Sequence, residues 1–332
     1  MTQLFVRAND NPILAPIKSH AWESEAVFNP GAIMLEGKIY IIYRAAGQEW
    51  LTSFGCAISS DGKSIDERLA YPIFMCNSRA RLRANEMMRR PYFPNWSGGS
   101  LGGCEDPRLV QIEEHLYMTF TFYDGWNPPR LAITSISVRD FLARRYNWKT
   151  PSFISPAGQI HKNWVLFPEK INNKFALLHA ISPKVLIDYL EDFDFTNKPY
   201  VDSKYSNHLN DHRWDSSVRG AGPPPIKIPN GWLLFYHAMD KENPDKYKLG
   251  AMILDAKDPS KIIYRAKRPL LEPIMDYENY GFKSGVVYCC GTVIKEEKLI
   301  IYYGAADSVT CMAQAPLADV LKKIEAFDDS VC

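Results

Sequence analysis

One strand pattern recurs five times along this chain, and this repeat restricts the folds available to the chain more than any other feature. Each copy has a polar turn, an alternating run of apolar and aromatic residues, and then a small or polar residue. The copies are residues 37–44, 114–123, 173–179, 230–237 and 297–304. With Ile39, Leu116, Phe175, Trp232 and Leu299 taken as equivalent, the intervals are 77, 59, 57 and 67 residues.

Most copies follow another apolar segment, and the turns between the two are typical of hairpins: Glu36-Gly37, Asn172-Asn173 and Asn230-Gly231. Helical spacing is clear only at residues 317–324. Multi-stranded units repeated about every 60 residues indicate radial repetition. We therefore predict an all-β fold, a five-bladed β-propeller with a short C-terminal helix, as one domain over residues 1–332. A β-sandwich or paired barrels would also use many hairpins, but they would not require each copy to end in a polar residue.

Those polar ends are candidates for a shared site, because equivalent strands of a propeller converge on its axis. The residues are Arg44, Asp124, His179, His237 and Asp307. A histidine at a strand end also often has a structural role, so this pattern alone leaves both interpretations open.

Residues 103–109 combine two adjacent carboxylates with an arginine. A glycine-rich run precedes Glu105 and Asp106, Pro107 follows, and Arg108 leads into an apolar segment. Such a loop can present Asp106 at the mouth of a strand, where a general acid is needed. The alternative is a surface turn in which Asp106 caps backbone amides and Arg108 pairs with Glu105.

The composition excludes several classes of protein. A net charge of +1 argues against a duplex nucleic-acid binder, and no apolar run is long enough for a membrane span. The seven cysteines form no CxxC motif, and the N-terminus does not resemble a secretory signal, so we expect a cytoplasmic protein. No metal or cofactor motif is present. Aromatic residues make up 13%, and flat rings suit the apolar faces of sugars.

Eight motifs, in order along the whole chain, resemble glycoside hydrolase family 130, the β-mannoside phosphorylases and related β-1,2-mannosidases. They are FNPGA at 28–32, YRAA at 43–46, AISSDG at 57–62, GCEDPR at 103–108, LFPEK at 166–170, GAGPPPI at 220–226, WLLFYH at 232–237 and YYGAAD at 302–307.

This resemblance implies a five-bladed propeller with an axial pocket and assigns Asp106 as the catalytic acid. In such enzymes the acid relays its proton through a mannose hydroxyl, and inorganic phosphate attacks the anomeric carbon from the opposite face. The products of an inverting reaction are α-mannose 1-phosphate and the acceptor sugar. Expected substrates are mannosyl-glucose, mannosyl-N-acetylglucosamine or β-manno-oligosaccharides. Phosphate is a co-substrate and already an anionic nucleophile, so no carboxylate base is needed and the usual pair of carboxylates is reduced to one. No cofactor is implied.

The resemblance also assigns binding residues. The substrate-binding candidates are Asn29, Arg44, Asp61, Glu105, Arg108 and Asp307, and Glu105 and Arg108 are expected to position and charge-balance Asp106. The phosphate-binding candidates are Lys162, Asn163, Arg219 and His237. Asp61 also lies in an ordinary β-turn sequence, Ser60-Asp61-Gly62.

One departure concerns the nucleophile. Phosphorylases of the family often have Lys-Ile before the GAG motif, whereas this chain has Val218-Arg219. A shift of one residue on an extended strand turns a side chain to the other face. The main alternative is therefore a β-1,2-mannosidase, in which Glu23, Glu25, Glu272 or Glu278 would activate water. A non-catalytic sugar-binding propeller is a further alternative.

Two loops are candidates for acceptor specificity. Residues 79–90 are strongly basic and lead into the aromatic residues 92–96, and residues 123–129 form a second aromatic loop. A solvated surface loop is the simpler interpretation of the basic stretch. Linkage preference stays open, and the sequence is compatible with a homo-oligomer without determining its size.

Overall fold

A computed structural model describes residues 4–76, 100–195, 200–203 and 213–325. The predicted all-β class is confirmed, because strands form most of the regular structure and the helices are short. The basic stretch 79–90 and the aromatic residues 92–96 lie outside the described residues. No helix in the described ranges has the length and apolar character needed to cross a membrane.

The elements, numbered along the described chain, have the following bounds. The strands are β1 (Val6–Arg7), β2 (Ala26–Leu35), β3 (Lys38–Ala46), β4 (Leu51–Ser59), β5 (Glu67–Arg68), β6 (Phe74–Met75), β7 (Gly102–Ile112), β8 (His115–Tyr123), β9 (Arg130–Ser137), β10 (Ser152–Phe153), β11 (Val165–Leu166), β12 (Phe175–Ala180), β13 (Leu186–Leu190), β14 (Ser217–Ala221), β15 (Ile226–Ile228), β16 (Gly231–Asp240), β17 (Asn243–Asp255), β18 (Ile262–Arg265), β19 (Val287–Lys295), β20 (Lys298–Ala305) and β21 (Val309–Pro316). The helices are α1 (Val138–Leu142), α2 (Asp276–Asn279) and α3 (Leu317–Glu325).

All five predicted repeat strands are present, as β3, β8, β12, β16 and β20. Each has antiparallel neighbours on both sides, which defines five strand groups along the chain. Group 1 is β2–β6, group 2 is β7–β10, group 3 is β11–β13, group 4 is β14–β18, and group 5 is β19–β21. The predicted C-terminal helix is confirmed as α3.

Hydrogen bonds connect some of these groups. Groups 1 and 2 share one sheet through two parallel residue pairs between β4 and β7. At the other end of the chain, the N-terminal strand β1 pairs antiparallel with β21, so that Val6 lies opposite Gln314. The first residues of the described chain therefore complete the last strand group.

Apolar side chains fill the space between neighbouring groups. Five large buried clusters lie between groups 1 and 2, 2 and 3, 3 and 4, 4 and 5, and 5 and 1. Side chains along each strand alternate between the two faces of the sheet, and each face packs against a neighbouring group.

The same buried polar unit recurs in groups 1, 4 and 5. A tyrosine on the central strand donates its hydroxyl hydrogen to a buried carboxylate, and an arginine on the outermost strand pairs with that carboxylate. These Tyr–carboxylate–Arg triads are Tyr43–Glu23–Arg68, Tyr236–Asp215–Arg265 and Tyr303–Glu278–Arg7.

The triads occupy equivalent positions in the strand register. Each tyrosine is four residues after the reference position of the repeat, which identifies Tyr43, Tyr236 and Tyr303. In each triad, one residue of the strand between them lies opposite both the arginine and the residue two positions before the tyrosine. In group 5 this arginine is Arg7 of β1, so the N-terminal strand takes the place of a missing fourth strand.

Replacing Arg7 with methionine tests this role. The Arg7 Nε to Glu278 Oε1 distance is 2.7 Å and the Glu278 side chain is fully buried. Loss of the cation leaves a buried carboxylate unpaired, so we expect Arg7→Met to lower the free energy of unfolding by about 3–5 kcal/mol in urea titrations.

Arg145→Met is the matched control, because Arg145 is 54% exposed in its ion pair with Asp140. We expect that variant to lose at most about 1 kcal/mol. Similar losses in the two variants would contradict the role of Arg7 as the buried partner of Glu278 in group 5.

Candidate active site

The first strands of four groups are each interrupted at the same level. Their pairing with the second strand of the group shifts register between Phe28 and Gly31, Glu105 and Arg108, Val218 and Gly220, and Cys289 and Gly291. A bulge leaves a residue unpaired and redirects its side chain. Side chains from several groups are thereby turned towards one central region.

Four candidate residues in this region have left-handed backbone conformations. Their φ angles are 47° at Asn29, 54° at Asp106, 65° at Asn163 and 49° at Asp307. Asparagine and aspartate tolerate this conformation better than other residues with a side chain. The local sequence therefore suits the bulges, and each of the four residues comes from a different strand group or its connection.

Asp106 is buried, with 5% of its surface exposed, and its two carboxylate oxygens differ. Asn29 Nδ2 donates to Oδ1 at 2.9 Å, and an Arg44 guanidinium nitrogen donates to the same oxygen at 3.2 Å. Among the described residues, none donates a hydrogen bond to Oδ2. This second oxygen is thus available to a bound molecule.

The charge state of Asp106 depends on opposing influences. Burial raises its pKa, but the charges of Arg44 and Arg108, the hydrogen bond from Asn29 and the charge of Lys162 together hold the pKa below its usual value. Asp106 is consequently a carboxylate at neutral pH.

Glu105 supports this arrangement from the neighbouring position. It accepts a hydrogen bond from Arg44 at 3.0 Å and another from Ser100, and Lys162 Nζ lies 3.6 Å from its second oxygen. The pair between Glu105 and Arg108 that a surface turn would form is absent: Glu105 pairs with Arg44, and both Glu105 and Arg108 are buried. The surface-turn interpretation of residues 103–109 is therefore wrong.

Arg108 connects strand groups. Its guanidinium donates to the Asp106 carbonyl at 2.7 Å, to Asn163 Oδ1 at 2.7 Å and to the Gly222 carbonyl at 3.2 Å. Tyr288 Oη is 3.4 Å away. These contacts join groups 2, 4 and 5 and the segment leading into group 3.

His237 lies behind Tyr288. The two rings stack with centroids 3.9 Å apart, and His237 Nε2 accepts a hydrogen bond from the Cys289 backbone amide at 2.9 Å. Burial, with the nearby charge of Arg108, lowers the pKa of His237 to about 3. The ring is neutral and holds its proton on Nδ1, which has no acceptor among the described residues.

Lys162, Asn163 and Arg219 line a cavity of about 40 Å³ together with His161 and His179. Val218 packs in the core between groups 3 and 4, and the next residue, Arg219, lies at the bulge and borders the cavity. The Arg219 carbonyl accepts a hydrogen bond from Asn163 at 2.8 Å. The Arg219 backbone thus contacts Asn163, whereas its guanidinium lies 5.9 Å from the centre of the Tyr247 ring.

Asp307 is a second buried carboxylate near Asp106. Burial raises its pKa from 3.8 to about 6, and the negative charge of Asp106 acts in the same direction. Lys283, Arg44 and Lys162 oppose this rise. Asp307 therefore titrates well above Asp106.

Two predicted residues do not take part in the contacts around Asp106. Asp61 is exposed and accepts hydrogen bonds from the amides of Lys63 and Ser64, beside the first residues of β3, whereas Arg44 lies near the end of β3. Asp124 caps its own turn, accepting from the amides of Trp126 and Asn127. The turn interpretation fits both residues.

Several residues at the site carried no signal in the sequence. Tyr288 links His237 to Asn163, to which its hydroxyl donates at 2.6 Å, and Ser100 binds Glu105. The charge of Lys283, in a loop outside the motifs, lowers the pKa of Asp307. Among the described residues, no cluster of His, Cys, Asp or Glu could hold a metal ion.

The profile of the beta-1,4-mannooligosaccharide phosphorylase family matches residues 7–326. The 1,2-beta-oligomannan phosphorylase of Thermoanaerobacter sp. (strain X514) is 33% identical over 321 residues, which cover 95% of this chain and 98% of that protein. The chain belongs to glycoside hydrolase family 130.

Other family 130 proteins agree with this assignment. The beta-1,2-mannobiose phosphorylase of the same Thermoanaerobacter strain is 34% identical over 315 residues, 91% of this chain and 94% of that protein. The structure of the Listeria innocua beta-1,2-mannobiose phosphorylase in complex with beta-1,2-mannobiose superimposes with a TM-score of 0.73. The alignment covers 97% of this chain and 99% of the Listeria protein at 21% identity, which demonstrates a shared fold.

The raised pKa of Asp307 has a measurable consequence for this family 130 protein. Between about pH 4 and pH 6 the folded chain holds a proton that the unfolded chain releases, so stability falls as the pH rises through this window. Asp307→Asn removes this loss and tolerates the same backbone conformation. We expect the variant to be more stable than the wild type by about 2–3 kcal/mol at pH 7.5 in urea titrations.

The difference should disappear at about pH 3.5, where the wild-type carboxyl is protonated in both states. An equal difference at both pH values, or none at either, would show that Asp307 does not bind a proton as the structure indicates.

Proposed function

We propose that this protein is an inverting β-mannoside phosphorylase that acts on β-1,2-linked manno-oligosaccharides and releases α-mannose 1-phosphate. Asp106 is the acid and inorganic phosphate is the nucleophile. The observation that carries the proposal is that Asp106 keeps one oxygen, Oδ2, available near a cavity lined by Lys162 and Arg219.

The proposed architecture is a single five-bladed propeller over residues 1–332, with the five strand groups as blades. Its support is the cyclic order of the five apolar clusters, the last of which packs group 5 against group 1. The pairing of β1 with β21 supports the same closure. The residues described above then lie around the axis.

The 1,2-linkage is proposed from the relatives. Two proteins that align with more than 90% of this chain at 33–34% identity are named as phosphorylases of 1,2-linked mannosides. The profile of the family names 1,4-linked manno-oligosaccharides, so linkage varies within the family and belongs to the test.

Phosphate is favoured over water because a hydrolase needs a carboxylate base. Glu23 and Glu278 are fully buried in triads with Arg68 and Arg7. Glu25 and Glu272 pair with lysines at 3.5 Å and 3.8 Å. Glu105 is held by Arg44 and Lys162. Among the described residues, the proposed candidates for a hydrolytic base are thus engaged elsewhere, whereas cations and neutral donors line the opposite side of the site.

The cations and donors on that side form a binding site for an anion. Lys162 and Arg219 provide charge, and Asn163 Nδ2 and the Nδ1 hydrogen of His237 provide neutral donors. His237 cannot contribute charge, since its pKa is about 3. It contributes one directed hydrogen bond.

Phosphate binding also prepares the acid. The dianion offsets the positive field of Lys162 and Arg108 that keeps the pKa of Asp106 low, so its proton affinity rises when phosphate is bound. The anomeric carbon then loses its bond to the glycosidic oxygen and gains one to a phosphate oxygen. The proton of Asp106 reaches the glycosidic oxygen through a mannose hydroxyl, as the family resemblance implies.

Turnover of β-1,2-mannobiose with and without phosphate tests the reaction. We expect α-mannose 1-phosphate in the presence of phosphate and almost no product in its absence. Asp106→Asn should reduce kcat by about 10²–10⁴-fold, the usual contribution of a general acid. Asparagine suits the left-handed backbone, so the variant should fold.

Glu113→Gln is the control, because Glu113 is exposed on the surface. Equal release of free mannose without phosphate would identify a hydrolase. Full turnover by Asp106→Asn would remove Asp106 from the chemistry, and binding of mannosides without turnover by the wild type would indicate a sugar-binding protein.

The phosphate site is tested separately with Arg219→Ala and Lys162→Ala. Each removes a charge-assisted contact, so we expect the KM for phosphate to rise about 10- to 100-fold. The KM for mannobiose should change much less. Initial rates at varied phosphate concentration measure the effect.

Lys227→Ala is the matched control, since Lys227 pairs with Glu169 on the surface. An unchanged KM for phosphate in Arg219→Ala would place this side chain outside the phosphate site.

A further inference from the structure

Two aromatic side chains from different strand groups form a contact beside the site. The rings of Trp50, in the turn before β4, and Phe282, in the loop before β19, have centroids 4.4 Å apart at 35°. Phe282 is 53% exposed. Trp50 also packs against the cluster of Ala26, Phe28 and Ala46, in which the Phe28 ring centre lies 4.6 Å from the Arg44 guanidinium.

The backbone holds this pair in place. Trp50 has a φ of 51°, which is unfavourable for a bulky residue, and its carbonyl accepts a hydrogen bond from Leu101 at 2.9 Å. The Phe282 amide donates to Ser308 Oγ at 2.8 Å. The pair is therefore a fixed feature and not two independent surface side chains.

The loop of Phe282 is joined to the turn that contains Asp307. A Cβ atom at Gly281 would lie only 2.5 Å from Ser308 Oγ and 2.7 Å from the Ala306 carbonyl oxygen, so the two backbones touch there. The Lys283 amide donates to the same Ala306 carbonyl at 2.9 Å. Exposed aromatic surface thus borders a buried carboxylate, a combination that suits the apolar face and the hydroxyls of a sugar.

The position of the pair agrees with the stereochemistry of the proposed reaction. The phosphate-binding candidates come from groups 3 and 4 and the segments leading into them, whereas Trp50 and Phe282 belong to group 1 and the entry to group 5. Inversion requires phosphate and the leaving sugar on opposite faces of the reacting mannose. A phosphate bound by Lys162 and Asn163 leaves the side formed by groups 1 and 5 to the leaving sugar.

We propose that Trp50 and Phe282 form the wall against which the leaving saccharide stacks, so that this pair determines acceptor binding. This inference depends on the proposed function for the identity of the reaction. The pair binds the sugar on the far side of the scissile bond and does not contact the phosphate.

The reverse reaction separates the two sides of the site. With mannose or β-1,2-mannobiose as acceptor and α-mannose 1-phosphate as donor, Phe282→Ala and Trp50→Ala should raise the KM for the acceptor about 10-fold. The KM for α-mannose 1-phosphate should stay within about twofold of the wild-type value. Phe282→Tyr keeps the ring and should retain the wild-type acceptor KM.

Tyr71→Ala is the control, since Tyr71 is 47% exposed and lies against Tyr146 on another part of the surface. The high exposure of Phe282 makes Phe282→Ala usable even if Trp50→Ala fails to fold. An unchanged acceptor KM in Phe282→Ala, or an equal rise in both KM values, would overturn the proposal. A wild type that needs no phosphate would instead contradict the proposed function.

Discussion

The buried guanidinium of Arg108 is the interaction on which the arrangement of the site depends. It donates to the Asp106 carbonyl, Asn163 Oδ1 and the Gly222 carbonyl, and among the described residues no carboxylate oxygen lies within 4 Å of it. A buried cation without an ion pair is costly, so its position has to be fixed by several neutral acceptors. Its field helps to keep Asp106 ionised and His237 neutral.

The bulges convert a repeating fold into an asymmetric site. Four of the five first strands are interrupted at a similar level, but the unpaired residues differ: an Asn-Pro pair in β2, an Asp-Pro pair in β7, Arg219 in β14 and Cys290 in β19. The bulges are similar in the backbone, but the side chains that they carry differ. Asn29, Arg44 and Glu105 surround Asp106, and Lys162, Asn163 and Arg219 line the neighbouring cavity.

The strands and the ordered motifs could be predicted from the sequence, because apolar alternation and turn chemistry act locally. Asn29, Arg44, Glu105 and Asp106 belonged to such motifs, and the structure brings them together. Asp61 had an equally plausible motif, but its carboxylate is used by its own turn. Tyr288, Trp50 and Phe282 could not be found, since their contacts join residues far apart in the chain and no local pattern specifies them. The place of Arg7 in the triad of group 5 became visible only through its register with β21.

The central claim is that Asp106 donates the proton to the departing sugar while phosphate, positioned by the cations opposite, attacks the mannose. The most direct measurement compares the wild type with Asp106→Asn on aryl β-mannosides whose leaving groups have progressively lower pKa values, at saturating phosphate. An acidic phenol departs without a proton, so the account predicts that the loss caused by the substitution shrinks steadily along the series. An equal loss for every leaving group would contradict the claim, because Asp106 would then only bind the substrate or maintain the site.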